Sequence, residues 1–291
     1  MKALSKILIA YDGSACSDAA LNDLKRAGLP ASLDALVLTV ADVIVPPPDR
    51  ELPGEPAVRI PEVERHVRDK TEKAVREARA HAERAAERVR ADFPGWRVRV
   101  GVDCDAPAWT LIRAADRMPA DLVVVGSHRH AVAGGRLILG STSQRVLYEA
   151  RCSVRAARCS EVRREGPVRI VVGFNGSHFA EEAVEAVASR VWPEGSEARL
   201  VVAGHHLGPE SPGAALKHLR AAGLSVSESA REGGPAHVLI HEAEEWGADC
   251  IFVGTRGLHG FQHLLHGSVA SAVDARAQCS VEVARAPRAV A

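Results

Sequence analysis

The stretch Lys6-Ile7-Leu8-Ile9-Ala10-Tyr11-Asp12-Gly13-Ser14 recurs as Arg169-Ile170-Val171-Val172-Gly173-Phe174-Asn175-Gly176-Ser177. A cation, an apolar run, an aromatic ring, Asx, Gly and Ser follow in the same order, 163 positions apart. Outward from it, Pro107-Ala108 through Asp121 to Gly126 aligns without a gap on Pro235-Ala236 through Asp249 to Gly254, and Cys152-Ser153-Val154 to Arg158 matches Cys279-Ser280-Val281 to Arg285. The offset falls to 128 and then 127, so the second copy is 35 residues shorter early on and one residue shorter between Gly254 and Gly267. A unit of more than a hundred residues is too long for a solenoid module, so each copy is a domain.

Within a copy, runs rich in Val, Ile and Leu alternate with segments of helical period. The runs at 6–11, 33–41, 97–102, 121–126 and 153–157 have counterparts at 168–173, 197–204, 224–230, 249–254 and 280–284. Continuous apolar runs are the mark of strands buried on both faces of a parallel sheet. Between them, 15–27, 107–117 and 141–149, then 178–190, 235–246 and 268–276, read as helices. The predicted fold is α/β: two tandem, doubly wound, five-stranded parallel-sheet domains of Rossmann-like type. The expected division is 1–158, a polar linker at 159–167 (CSEVRREGP), and 168–291. The first domain's insert, 44–92, pairs a Pro-rich loop (Pro46, Pro47, Pro48, Pro53, Pro56, Pro61) with a charged helix over roughly 62–91, read as a solvated cover; the second copy has only 213–222 there.

Bulk properties exclude several classes. Lys+Arg and Asp+Glu balance at 37 each, so there is no broad basic field for a nucleic-acid backbone. No apolar stretch nears the ~20 residues of a membrane helix. The short run before Asp12 is a poor export signal, and Cys16, Cys104, Cys152, Cys159, Cys250 and Cys279 lack CxxC spacing, so reduced thiols in a cytoplasmic protein are expected.

Gly254-Thr255-Arg256-Gly257, nine residues, then Gly267-Ser268 runs from the end of an apolar strand to the start of a helix. Such a loop suits a polyphosphate: glycines admit close backbone approach, a helix start attracts anions, and Arg256 adds charge. Alone it reads more readily as a tight turn with a capped helix than as a binding loop. In place after the fourth strand it resembles the ATP-binding signature of universal stress proteins, as do the strand ending in Asp-Gly-Ser, the Gly/Pro-Ala turn before the third helix and the closing Cys-x-Val strand. The resemblance covers both copies. It implies an adenine-nucleotide alpha hydrolase-like fold, with adenine near Phe174, Asn175 and Ala203 and the triphosphate of ATP, with or without Mg²⁺, on Gly254, Arg256, Gly257, Gly267 and Ser268. It also implies that the closing strands, 153–157 and 280–284, pair across a pseudo-two-fold axis, with room for a homodimer of whole chains. Family members usually carry Asp where Asn175 stands; Asn keeps the hydrogen bonding and loses the charge.

The first copy keeps Asp12, Val40, Gly126, Gly140 and Ser141, but Arg129 replaces the second glycine and the span to Gly140 is one residue longer. A weaker or empty site is expected there. His128, His130, His259, His263 and His266 lack the flanking Cys, Asp or Glu of a metal set, while His205 and His206, after the second strand, read equally as lining of the adenine pocket or as a surface loop. Trp109 and Trp246 read as helix-surface residues. No P-loop and no carboxylate placed to hold Mg²⁺ or activate water is evident, which points to a regulatory nucleotide binder without substantial catalysis. A slow ATPase and a nucleotide-free interaction module are the alternatives.

Overall fold

Each copy is built by strands that feed helices and return parallel. A computed structural model describes residues 4–41, 61–127, 129–131, 137–139, 141–158, 166–204, 211–255 and 268–286. The first copy runs β1 (Lys6–Ala10), α1 (Ala15–Asp23) with one 3-10 turn at Leu24–Arg26, β2 (Asp34–Ala41), α2 (Pro61–Asp92), β3 (Arg97–Cys104), α3 (Pro107–Arg117) and β4 (Leu122–Ser127). Two short strands, β5 (Arg129–Ala131) and β6 (Leu137–Leu139), precede α4 (Ser141–Glu149) and β7 (Ser153–Arg158). The second copy runs β8 (Arg169–Phe174), α5 (His178–Ala188), β9 (Glu197–Ala203), α6 (Pro212–Ala221), β10 (Ser225–Arg231), α7 (Pro235–Trp246), β11 (Cys250–Gly254), α8 (Ser268–Arg276) and β12 (Ser280–Ala284).

The strands form one ten-stranded sheet in the order β10-β9-β8-β11-β12-β7-β4-β1-β2-β3. Every neighbouring pair is parallel except β12 and β7, which run antiparallel with Val281 opposite Ala156, Glu282 opposite Arg155 and Val283 opposite Val154. Val154 and Val281 are equivalent residues of the repeat, as are Ala156 and Val283, so the pseudo-two-fold axis passes through the Arg155–Glu282 pair. The expected side-by-side closing strands are thus present.

The strands read as apolar runs because helices cover both faces. On one face a single core crosses the seam, gathering Leu111, Ile112 and Val146 from the first copy with Leu239, Ala243 and Val273 from the second. On the other face each copy has its own core: Ile7, Ile9, Leu21, Leu24 and Val89 in the first, and Ile170, Val172, Val187, Leu219 and Phe252 in the second. The long α2 earns its place through small residues: Ala78, Ala82, Ala85, Ala86 and Val89 are buried, at helical spacing, while none of residues 65–77 is. The edge strands are polar; β10 (SVSESAR) has no buried residue and β3 carries Arg97, Arg99 and Asp103.

Two details differ from the sequence reading. The first helix ends as an α-helix at Asp23, and the remainder tightens to a 3-10 turn before Gly28, whose φ is +62°. The loop after β4 forms an antiparallel ribbon, Arg129 opposite Leu139 and Ala131 opposite Leu137, where no strand was expected.

Candidate functional site

The strand order reverses beside β1 and again beside β8, and in open α/β sheets the carboxyl ends at such a point form a crevice. In the first copy Asp12 follows β1, Val40 is the last residue but one of β2, Gly126 nears the end of β4 and Ser141 starts α4. In the second copy Phe174 ends β8, Asn175 follows it, Ala203 ends β9, Gly254 ends β11 and Ser268 starts α8. The expected site residues in the described range are therefore brought to neighbouring strand ends in each copy. Arg256, Gly257, Gly267 and Gly140 lie outside the described residues, as do His128, His205, His206, His259, His263 and His266.

The turn after the first strand is built alike in both copies. Asp12 Oδ1 accepts from the Ser14 N–H at 2.9 Å, and Asn175 Oδ1 accepts from the Ser177 N–H at 3.1 Å and its hydroxyl at 2.7 Å. Ser14 and Ser177 then cap α1 and α5, accepting from Ser17 N and Ala180 N. Burial pushes the Asp12 carboxyl up, but the Ser14 side chain and N–H and the Ser17 hydroxyl outweigh it and hold the group below its usual value. Asp-to-Asn at 175 thus leaves the turn intact and removes only the charge. Phe174 is buried in the second copy's core, so its side chain serves packing and only its backbone faces the turn.

Gly126 and Gly254 serve a purpose that the sequence reading missed. A Cβ on Gly254 would lie 1.6 Å from Phe179 O, and one on Gly126 would lie 2.4 Å from Cys16 O. The first turn of the capped helix presses on the end of the fourth strand, and only glycine permits it. The signal was available: a glycine at equivalent strand ends, paired with small residues or a Ser cap in the facing helix, marks close helix–strand packing as well as phosphate approach.

The two crevices differ in their surroundings. In the first copy His81 of α2 lies over the β1–α1 turn, 2.2 Å from where a Gly13 Cβ would sit, and Arg84 Nη2 is 3.0 Å from His81 Nδ1. Arg88 pairs with Asp18, which also accepts from the Tyr11 hydroxyl at 2.8 Å. The ribbon β5–β6 occupies the following loop, and β6 approaches α8 of the other copy. The second copy's α6 is only 10 residues long against 32 in α2.

Two equivalent arginines clasp the seam. Arg158 donates to Ser127 Oγ at 2.6 Å, to Ala277 O and to Asp274, while Arg285 donates to Cys152 O at 3.0 Å and to Leu147 O. Each thereby satisfies carbonyls at the C-terminal end of the other copy's last helix, where a cation is favoured. Burial draws the Arg285 guanidinium down to about 10. A cavity of about 550 Å³ between the copies is lined among others by Pro119, Cys152, His178, Glu182, His218 and Arg285. Trp109 and Trp246 sit at helix surfaces under Arg145 and Arg199, as expected. Among the described residues no group of three metal-ligating side chains occurs, no helix is long and apolar enough to cross a membrane, and no disulfide joins the cysteines.

Strand order, open strand ends and Ser-capped turns define a tandem protein of the doubly wound α/β class. The chain belongs to the universal stress protein family, whose model matches residues 4–158 and again 168–285. A universal stress protein of Mycolicibacterium smegmatis is 29% identical over 304 residues, covering 96% of both chains. The universal stress protein A homolog 2 of Coxiella burnetii is 51% identical over 53 residues, 18% of this chain and 36% of that one. The crystal structure of a universal stress protein from Archaeoglobus fulgidus superposes with a TM-score of 0.66 at 21% identity, covering 96% of this chain and 98% of that one.

Proposed function

We propose that the chain is an adenine-nucleotide-binding regulatory protein, with domains at 1–158 and 168–291 joined by 159–167, that holds ATP in the second domain. The observation that carries this reading is the convergence of Asn175, Ala203, Gly254 and the start of α8 at Ser268 on neighbouring strand ends, inside a chain of this family. Half-buried Ala203 offers an apolar rim for adenine, the backbone at Phe174 offers it polar groups, and the helix start offers N–H groups to phosphate. Arg256, Gly257 and Gly267 complete the phosphate loop in the sequence motif. The first domain is the weaker site, since His81 covers its first turn and the loop after β4 is a ribbon beginning at Arg129.

Calorimetric titration of the full chain with ATP tests the assignment. Micromolar to sub-millimolar affinity is expected, roughly −5 to −8 kcal/mol. Gly257→Val should abolish binding and leave the circular dichroism unchanged; unchanged affinity removes the site from this loop. Steady phosphate release faster than ~1 s⁻¹ would replace the regulatory reading with an enzymatic one.

A further inference from the structure

Four charged side chains lie in a row across the pseudo-two-fold axis: Asp23, Arg155, Glu282 and Arg190. Arg155 donates to Asp23 at 2.5 and 3.1 Å and to Glu282 at 3.3 Å, and Glu282 also accepts from Arg190. Arg155 and Glu282 are fully buried, and the Arg190 side chain is 3% exposed. The row alternates in sign, is neutral in sum, and is closed at its ends by Ser280 Oγ on Asp23 at 2.9 Å and by Ala27 O under Arg190 at 2.6 Å.

The row breaks the repeat. Arg155 and Glu282 occupy equivalent positions with opposite charge, and the partners of each come from its own copy: Asp23, whose equivalent is Ala186, and Arg190, whose equivalent is Ala27. A residue on a two-fold axis faces itself whenever two identical surfaces pair. Two first copies joined by this seam would set Arg155 against Arg155, donor against donor. Two second copies would set Glu282 against Glu282, acceptor against acceptor. Asp23 and Arg190 would neutralise the charge within each half, yet the central contact would turn from a hydrogen-bonded ion pair into a buried like-charge pair.

We infer that this row is the pairing code of the seam: the partner that the β7 or β12 surface fits is the opposite half of the chain, and a second copy of the same half is rejected. Opposed charges of this kind fix partner choice where hydrophobic complementarity alone would not. The apolar residues flanking the axis, Val154, Ala156, Val281 and Val283, are similar in both halves and cannot discriminate.

Two measurements on the full chain test this. First, two differently tagged copies are co-expressed, one tag is captured and the other is counted. The wild-type chain sets the baseline of co-capture, which includes any association of whole chains through other surfaces. The uncharged variant Asp23→Asn/Arg155→Met/Arg190→Met/Glu282→Met should raise co-capture at least about tenfold, through pairing of like halves; a folded variant with no rise overturns the inference. Second, Glu282→Gln is compared in two backgrounds by thermal denaturation. In the wild type it should lower Tm by about 5 °C or more, because the buried carboxylate that Arg155 and Arg190 share is lost and Arg190 is left without one. In Arg155→Glu it should raise Tm, because a carboxylate pair is relieved. An Arg155→Glu chain that fails to fold should be restored by Glu282→Gln. Equal losses in both backgrounds, or continued failure, would reduce the row to ordinary packing.

Discussion

At the scale of single residues, the glycines separate steric need from habit. A Cβ on Gly254 would meet the Phe179 carbonyl at 1.6 Å, and that carbonyl cannot move without unwinding the start of α5, whereas one on Gly173 would meet the flexible Leu239 methyls at 3.0 and 3.2 Å. Gly254→Ala is expected to cost about 3 kcal/mol and Gly173→Ala less than about 1 kcal/mol in urea unfolding. Glu242 makes a second residue-scale case. It is 1% exposed and accepts from Arg199 at 2.6 Å and Ser229 at 3.0 Å, and pairs with Arg231 at 2.6 Å. Burial pushes its carboxyl up, but the Arg199 and Ser229 hydrogen bonds and the two guanidinium charges prevail and hold it below 4.5. The folded carboxyl is the stronger acid, so its stabilisation is complete above the unfolded value and is lost as pH falls through the folded one. Glu242→Gln should therefore cost about 2 kcal/mol at pH 7, and the gap from wild type should narrow as pH falls below the ordinary glutamate range. Asp274 works in the opposite sense: burial outweighs Arg158 and raises its carboxyl, so its protonation on acidification relieves a cost.

At the scale of elements, the segments just past α1 and α5 pack against each other. Val191 N donates to Gly28 O at 3.0 Å, and a Cβ on Gly28 would lie 2.9 Å from the Trp192 ring. With φ at +62°, Gly28→Ala adds backbone strain to that contact and should cost about 2 kcal/mol, read as a lower urea midpoint with an unchanged m-value. The same elements show what a sequence discloses. Val, Ile and Leu runs revealed the strands because both faces are covered, and repeated offsets revealed that the closing strands are equivalent. The β5–β6 ribbon was hidden because three residues per strand carry no usable period. His81 was hidden because α2 is charged on most faces, and a histidine in such a helix gives no sign of which neighbour it meets. The axial row could have been suspected, since Arg155 and Glu282 interrupt apolar closing strands at equivalent places with opposite charge. What no pattern supplies is that these places lie on the axis.

At the scale of the whole molecule, two similar halves are joined with unequal crevices. Titration with ATP should give a stoichiometry near one, with the second domain filling first. On the proposed reading, loss of two or three charge-assisted hydrogen bonds, at about 1.5–3 kcal/mol each, should weaken the first domain at least a hundredfold. Two sites of matched affinity would mean that Arg129 and the longer loop are tolerated. His81→Ala in that case should leave both affinities unchanged, whereas under the unequal reading it tightens the first site alone.

The polar edges of the sheet carry a last consequence. Among the described residues the ten hydrogen-bonded strands end in two open flanks, β3 and β10, from which further strands could be added without limit. Arg97, Arg99, Glu228 and Arg231 line those flanks with charge of both signs. The ladder ends there, so a chain whose architecture is repetition is also built to stop repeating. Glu228→Val with Arg231→Val would remove that stop on one flank and open the way to fibrils.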